Sequence, residues 1–297
     1  MNKIINKTMD RSDLLTDKAG YVVKEIDNLI GTLYSKNLYM TSWYGTLPRG
    51  VGIGLNKNGI KNVIKAILGR TEKNTGVGIE RRGVDYEPIL DVADDRRLPW
   101  YLYWEIFWVM KNGPEVRSNM RLLDAGGASS LFSCYLASMG CKLHSIDLNK
   151  ALVSNGNRIA KSMGWSMYSY AMNIRKLDFE DDYFDHAYSI CVFEHLDYET
   201  KQSALSEIGR CLKPNGILSI TFDYRNPAPD ITGRGSDTSE KNQIKNPDDI
   251  KRNFLSTGCF ELLGNQEFYD NGKSYLINPK FGDASYTFGA IFLKKKS

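Results

Sequence analysis

The chain has 297 residues, enough for one large domain or a core domain with an appendage, and its formal net charge of +4 comes from scattered basic residues. Because the basic residues are scattered, we do not expect the protein to bind nucleic acid. The lysines at 294–296 are interpreted as a solvated end of the chain. The five cysteines show no paired Cys-x-x-Cys spacing, which predicts neither a disulfide framework nor a metal site. The chain starts without an apolar signal segment, and its most apolar run, Trp100 to Met110, is too short to span a membrane and contains Glu105. We therefore expect a reduced, cytoplasmic protein without a membrane span.

Residues 1–118 differ in composition from the rest and are predicted to form a helical and aromatic appendage. Apolar residues at helical spacing predict one helix from Asp17 to about Ser35 and another from Lys57 to Leu68. The segment from Tyr39 to Gly50 between them is interpreted as an aromatic loop, because it combines aromatic residues with turn-forming residues.

The clearest helix of the appendage begins near Pro99 and ends at Asn112, where a glycine and a proline follow. Trp100, Trp104 and Trp108 recur every four residues and therefore share one face. We interpret this face as core packing against a sheet, and the wall of a ligand pocket is the alternative.

From residue 119 onward, strands and helices alternate, which predicts an α/β fold with a parallel sheet covered by helices on both faces. The predicted strands span residues 120–125, 141–147, 165–172, 183–193 and 217–223, and the predicted helices span residues 131–139, 149–163 and 198–212. Residues 213–216 are predicted to form a turn, and residues 225–245 a mobile loop at the carboxyl end of the fifth strand. Asn246 is predicted to cap a last helix, and residues 261–268 and 286–293 to form a closing antiparallel pair.

A glycine turn joins the first strand to its helix and is the segment around which the domain is organised. Asp124 closes the strand, Gly126 and Gly127 allow a tight turn, and Ser129 or Ser130 is placed to cap the helix. An acid about twenty positions later suits a dinucleotide or S-adenosylmethionine, since both present ribose hydroxyls to a carboxylate at the end of the second strand. A dinucleotide favours the full Gly-x-Gly-x-x-Gly pattern, whose later glycines are absent from this chain.

Three segments carry a resemblance to a known family: the glycine turn with the strand before it, Leu177 to Leu196, and Glu207 to Phe222. Together they strongly resemble the class I S-adenosylmethionine-dependent methyltransferases, in particular small-molecule enzymes whose fourth strand leads into Glu-His-Leu. The resemblance spans about residues 119–225 and does not reach the first hundred residues. It implies a Rossmann-like, seven-stranded, mostly parallel sheet with an antiparallel last strand, and S-adenosylmethionine as the cofactor.

The resemblance also implies which positions lie at the cofactor. They belong to the glycine turn and to the ends of the second, third and fourth strands: Asp124, Gly126, Gly127, Ala128, Asp147, Leu148, Asn173, Ile174 and Ser189. The glycine turn matches the motif that lies against the methionine part, and Asp147 matches the ribose-binding acid. Leu148 and Asn173 match adenine-side positions, although Asn173 stands where the family usually has an aspartate. Ala128 and Ser130 replace glycines of the family pattern, which we expect to weaken cofactor binding without abolishing it.

The function that the resemblance implies is methyl transfer to a small molecule, a glycan or a natural-product intermediate, by in-line displacement at the sulfonium methyl. Residues 1–118 are predicted to serve as a lid and as a wall of the acceptor site. His195 is the candidate base for a hydroxyl acceptor, and capping or packing at a helix start is its alternative role.

Other residues and functions stay open at this point. Asp223 and Tyr224 are further candidates on the acceptor side, and Arg96 or Arg97 could meet the methionine carboxylate. A methyltransferase acting on protein or RNA is an alternative function, as is an NAD-dependent oxidoreductase. The acceptor atom and the oligomeric state are not predicted.

Overall fold

The computed structural model describes residues 3–42, 47, 98, 100–225, 244–276 and 285–296. The predicted helix over residues 57–68, residues 43–46 and 48–50 of the aromatic loop, and residues 226–243 of the predicted mobile loop lie outside the described residues. Within the described ranges, no helix combines the length and the apolar character that crossing a membrane requires.

The strands form one mixed sheet. They are β1 (Lys7–Thr8), β2 (Arg121–Ala125), β3 (Lys142–Asp147), β4 (Met167–Ala171), β5 (Phe184–Ile190), β6 (Leu212–Tyr224), β7 (Phe260–Leu262), β8 (Tyr275–Leu276) and β9 (Ser285–Lys295). The order is β1-β9-β6-β5-β2-β3-β4, and β7 and β8 also pair with β9. Strands β2 to β6 are mutually parallel, and β9 runs antiparallel to β6. The predicted α/β class with an antiparallel last strand is therefore confirmed, and the two-residue strands β1 and β8 add to the seven expected strands.

Side-chain caps set the starts of most helices. The helices are α1 (Asp17–Ser35), α2 (Trp100–Asn112), α3 (Leu131–Ser138), α4 (Lys150–Met163), α5 (Tyr198–Cys211) and α6 (Pro247–Ile250), which continues into a π turn at Lys251–Leu255. Five caps accept a hydrogen bond from a backbone N–H of the first turn: Thr16, Ser130, Asn149, Asp197 and Asn246. Short 3₁₀ turns lie at Arg11–Leu15 and Phe193–His195.

Alternation along the strands places an apolar core on each face of the sheet. Leu122 packs in the core that includes α1, α2 and α3, and Leu123 packs in the core that includes α5. The first core joins residues from the N-terminal segment and from β9, such as Ile5 and Phe292.

Helix α2 is buried between the N-terminal segment and the sheet. Trp104 and Trp108 stack with ring centroids 5.7 Å apart, and their indole N–H groups donate to Asp13 Oδ2 and to the Ile5 carbonyl, both at 2.9 Å. Tyr101, elsewhere on the helix, stacks on Phe288 of β9 at 4.7 Å. The predicted core role of Trp104 and Trp108 is confirmed, and their indole hydrogen bonds go to the N-terminal segment.

Two predicted boundaries near the end of the sheet are wrong. The predicted turn at 213–216 lies within β6, because Leu212 already pairs with Phe184 before the register shifts and Ile217 pairs with His186. The predicted strand over 261–268 ends at Leu262. After it the chain turns toward the N-terminal segment, where Asn265 Oδ1 accepts hydrogen bonds from the backbone N–H groups of residues 5 and 6 at 2.9 Å.

Candidate active site

The glycine turn after β2 lacks side chains because neighbouring groups occupy their space. Gly126 has φ +92°, and a Cβ built on it would lie 2.5 Å from a methyl carbon of Val192. A Cβ on Gly127 would overlap with the carboxylate of Asp124. Both glycines are thus required by the packing of this turn, whatever ligand it holds.

Asp124 lies beneath the turn and is only 1% exposed. Burial raises the pKa of this carboxyl to about 7, the hydroxyl of Ser133 opposes the rise, and the charge of Asp147 adds to it. Ser133 Oγ lies 2.5 Å from Asp124 Oδ2 and 2.8 Å from the carbonyl oxygen of Gly127. A serine hydroxyl has one hydrogen, so a protonated Asp124 lets both contacts be hydrogen bonds. Asp124 therefore stabilises the turn through Ser133, which links its carboxyl group to the Gly127 carbonyl.

Two serines after the glycines have different tasks. Ser130 accepts a hydrogen bond from the backbone N–H of Ser133 at 3.0 Å and caps α3, as predicted for one of the two serines. Ser129 has φ +58°, a left-handed conformation that is uncommon outside glycine. Its hydroxyl oxygen lies 2.5 Å from Thr41 Oγ1, and the Thr41 N–H donates to the Ser129 carbonyl at 2.8 Å.

The segment Leu38–Ser42 therefore lies over the glycine turn. Asn155 of α4 donates to the Tyr39 carbonyl at 2.9 Å, and Thr41 Oγ1 lies 3.3 Å from the Ala128 carbonyl. Met40 and Thr41 are buried. The N-terminal part of the chain thus covers the Ala128 and Ser129 side of the turn.

The remaining predicted cofactor positions lie at the carboxyl ends of neighbouring strands. Asp147 ends β3, and its Oδ1 accepts the N–H of Asn149 at 2.7 Å. Leu148 beside it is 61% exposed, an unusual value for a leucine next to a sheet edge. Asn173 is exposed after β4, and its side-chain oxygen accepts the N–H of Arg175 at 2.9 Å.

The other two predicted positions differ in exposure. Ile174 is half-buried, whereas Ser189 on β5 is buried and donates to the Ala125 carbonyl at 2.9 Å. The structure therefore gathers all nine predicted cofactor positions along one edge of β2 to β5. Arg96 and Arg97, the candidates for the methionine carboxylate, lie outside the described residues.

The candidate acceptor-side residues lie at the ends of β5 and β6. His195 belongs to the 3₁₀ turn after β5, its side chain is 38% exposed, and its Nε2 lies 4.0 Å from Glu194 Oε1. Tyr224 is buried and donates to Asp270 Oδ2 at 3.1 Å, so its hydroxyl is engaged within the fold. Asp223 is buried beside the same strand end.

Asp223 belongs to a buried cluster whose other three members were not predicted from the sequence. It consists of Glu105, Cys191, Glu194 and Asp223, and we call it the acid-thiol cluster. Cys191 Sγ donates to Glu105 Oε1 at 2.7 Å, and the Asp223 N–H donates to Glu194 Oε1 at 3.3 Å. A lone acid within the apolar helix α2 was the available signal for Glu105, because such a residue needs a buried partner.

Burial opposes the ionisation of Glu105 and Glu194. Burial raises the pKa of Glu105 to about 8, the Cys191 hydrogen bond opposes this, and the charges of Glu194 and Asp223 add to it. Burial also raises the pKa of Glu194 to about 7, against hydrogen bonds from backbone N–H groups. Burial and the nearby carboxylates hold the pKa of the Cys191 thiol well above its ordinary value.

Comparison with known proteins identifies the domain type. Residues 123–220 match a family described as a methyltransferase domain. The chain is also similar to an uncharacterised protein of Haemophilus influenzae, with 30% identity over an alignment of 126 residues. The alignment covers 39% of this chain and 47% of that protein. The chain thus spans about half the length of this relative.

Two solved structures are similar to about two thirds of the chain. The [4+2]-cyclase SpnF has a TM-score of 0.50 at 16% identity, over 68% of this chain and 85% of that one. A SAM-dependent methyltransferase from Aquifex aeolicus has a TM-score of 0.45 at 15% identity, over 63% of this chain and 88% of that one. The likeness to SpnF shows the fold alone.

The chemistry of the strand edge fits S-adenosylmethionine. A carboxylate at the end of β3 suits the ribose hydroxyls, and the exposed Leu148 offers apolar surface to an adenine ring. The turn at Gly126 and Gly127 presents backbone without side chains. Over residues 123–220, which contain this strand edge, the chain is similar to methyltransferase domains.

Proposed function

We propose that the protein transfers a methyl group from S-adenosylmethionine to a small molecule, such as a glycan or natural-product intermediate. The observation that carries the small-molecule assignment is the covered glycine turn, where Met40 and Thr41 are buried over the sheet edge. A covered edge favours an acceptor small enough to enter a closed site, and it disfavours a folded macromolecule. The near-balanced charge of +4 supports the same assignment.

We also propose which residues contact each part of the cofactor. Gly126 and Gly127 would lie against the methionine part, Asp147 would accept hydrogen bonds from the ribose, and Leu148 and Asn173 would flank the adenine. When bound, S-adenosylmethionine supplies a methyl group already activated by the adjoining sulfonium. The contribution of the chain is then to hold the acceptor in line and to exclude water.

Residues 1–118 are proposed to form the lid and the acceptor-site wall. The contacts of Thr41 with Ser129 and of Tyr39 with Asn155 support the lid role, since they hold this part of the chain over the cofactor turn. For a hydroxyl acceptor, His195 is the proposed base. Its imidazole is partly exposed at the strand edge, where an acceptor hydroxyl could reach it.

The compartment is proposed from the thiols. All five cysteines are free, and three of them are buried in the core. Unpaired thiols are typical of proteins that work in a reducing compartment such as the cytoplasm.

The test uses S-adenosylmethionine labelled on its methyl carbon, incubated with the protein and with extracts separated by molecular mass. We expect the label in the low-mass fraction. Asp147→Ala should abolish most of this transfer. Asp178→Ala is the control, because Asp178 is an exposed acid on the loop after β4, and it should leave the transfer unchanged. Label in the protein or RNA fraction would support the macromolecular alternative and overturn the small-molecule assignment. The absence of label from every fraction would overturn the methyl-transfer proposal itself.

A further inference from the structure

The acid-thiol cluster brings side chains from three separate segments to one point. Glu105 comes from the middle of α2, Cys191 and Glu194 from the chain after β5, and Asp223 from the end of β6. One ligand atom each of Cys191, Glu194 and Asp223 lies within 4.8 Å of the other two. Glu105 Oε1 is in contact with the Cys191 sulfur at 2.7 Å.

The backbone after β5 is bent to make this meeting possible. Cys191 has φ +50°, a left-handed conformation that a residue with a Cβ adopts only when its surroundings enforce it. Its N–H is held by the Thr221 carbonyl at 3.1 Å, and the 3₁₀ turn that follows returns Glu194 toward β6. Strained conformations of this kind concentrate at functional sites.

Within the described ranges, Glu105 and Glu194 each have a buried carboxylate oxygen without a hydrogen bond. Among the residues that the structure describes, Glu105 Oε2 and Glu194 Oε2 have no hydrogen-bond partner. Glu105 is 0% exposed, so no solvent replaces the missing partner. Buried carboxylate oxygens are normally paired with a donor or coordinate a metal.

We propose that the acid-thiol cluster is a binding site for one divalent transition-metal ion, with Cys191, Glu194 and Asp223 as ligands and Glu105 in contact with the Cys191 sulfur. Bonds of about 2.3 Å to sulfur and about 2.0–2.2 Å to oxygen allow two ligands of one ion to lie up to about 4.5 Å apart. The three ligand atoms lie within 4.8 Å of one another, so a small adjustment of the side chains would let one ion contact all three. A thiolate among the ligands favours Zn²⁺, Co²⁺ or Fe²⁺ over Mg²⁺ or Ca²⁺. The proposal departs from the expectation of no metal site. That expectation rested on the absence of paired cysteine spacing, and such spacing cannot reveal a site whose ligands come from separate segments of the chain.

The inference concerns metal binding and stands independently of the proposed methyl transfer. Co²⁺ is the probe, because a thiolate ligand gives a charge-transfer absorption band that carboxylates alone do not give. Protein stripped with a chelator is titrated with Co²⁺ in the absence of cofactor. We expect one equivalent to bind, the band to appear, and Zn²⁺ to displace it.

Variants assign the ligands. Cys191→Ser should remove the charge-transfer band, and Asp223→Asn should weaken Co²⁺ binding by about 10- to 100-fold. The matched control is Cys259→Ser, another half-buried free thiol, which should leave both the band and the affinity unchanged. Thermal unfolding without metal checks that each variant folds. The proposal is overturned if the wild-type protein shows no saturable Co²⁺ binding, or if the band persists in folded Cys191→Ser.

Discussion

Thr41 and Ser129, which are 88 residues apart in the chain, are joined by a 2.5 Å contact between their hydroxyl oxygens and a 2.8 Å bond from the Thr41 N–H to the Ser129 carbonyl. Ser129 holds a left-handed backbone conformation, which costs a residue with a Cβ about 1–2 kcal/mol. The Thr41 contacts offset part of that cost. They also fix the N-terminal segment over the turn that is proposed to hold the cofactor.

Replacing Thr41 by valine tests how much the contact between Thr41 and Ser129 stabilises the fold. Thr41→Val keeps the shape of the side chain but leaves the buried Ser129 hydroxyl without its partner, so the free energy of unfolding should fall by about 1–3 kcal/mol. Denaturant unfolding measures it. Thr32→Val is the control, because Thr32 is exposed on α1 and bonds only within its own helix. Equal stability of Thr41→Val and wild type would contradict the assigned role.

The two kinds of glycine in the chain should respond in opposite directions to alanine. Gly127→Ala places a methyl group where the Asp124 carboxylate lies, and we expect a loss of about 1–3 kcal/mol in unfolding free energy. Gly31→Ala on α1 meets no atom within 4 Å, and we expect a gain of about 0.5–1 kcal/mol. Denaturant unfolding of both variants measures the contrast. A stable Gly127→Ala protein would show that the carboxylate does not fill this space.

The pKa of Asp124 predicts a pH dependence of stability. The folded-state pKa is raised from 3.8 to about 7, so the folded protein holds a proton there that the unfolded chain releases above pH 4. The protonated Asp124 therefore adds on the order of 4 kcal/mol to the free energy of unfolding below pH 4. This stabilisation is lost as the pH rises from 4 to 7.

Asp124→Asn removes the titrating group, so its stability relative to wild type should increase from pH 4 to pH 7 and then level off. Urea unfolding at a series of pH values follows this difference. Asp178→Asn, at an exposed acid, should show no comparable trend. A constant difference between Asp124→Asn and wild type would mean that Asp124 is ionised throughout.

Local signals in the sequence were sufficient for most of the α/β part. Asn149 and Gly164 bound α4, because the asparagine side chain accepts a first-turn N–H and the glycine adopts φ +69° at the cap. Alternating apolar residues and caps likewise located β2, β3 and α5 to within a few residues. Local hydrogen bonds determine these features, which is why local patterns predict them.

Long-range contacts were beyond the reach of these patterns. The two residues of β1 join the sheet only because β9, nearly the whole chain length away, offers an edge. The contacts of Thr41 with Ser129 and of Glu105 with Cys191 were likewise not predictable. The periodicity of apolar residues shows which face of a helix is buried, but it does not show which residues pack against that face. Residues 213–216 are predicted to form a turn but lie within β6, because the pairing of β6 with β5 resumes after a register shift.

Binding of S-adenosylhomocysteine, compared with binding of S-adenosylmethionine and NAD by calorimetry and thermal unfolding, tests the cofactor site most directly. We expect both S-adenosyl compounds to bind and to stabilise the protein by about 2.7 kcal/mol at a hundredfold excess over Kd. Asp147→Ala should weaken this binding about tenfold, the effect of losing about 1.4 kcal/mol, while Asp178→Ala leaves it unchanged. Stabilisation by NAD, with none from either S-adenosyl compound, would contradict the assignment.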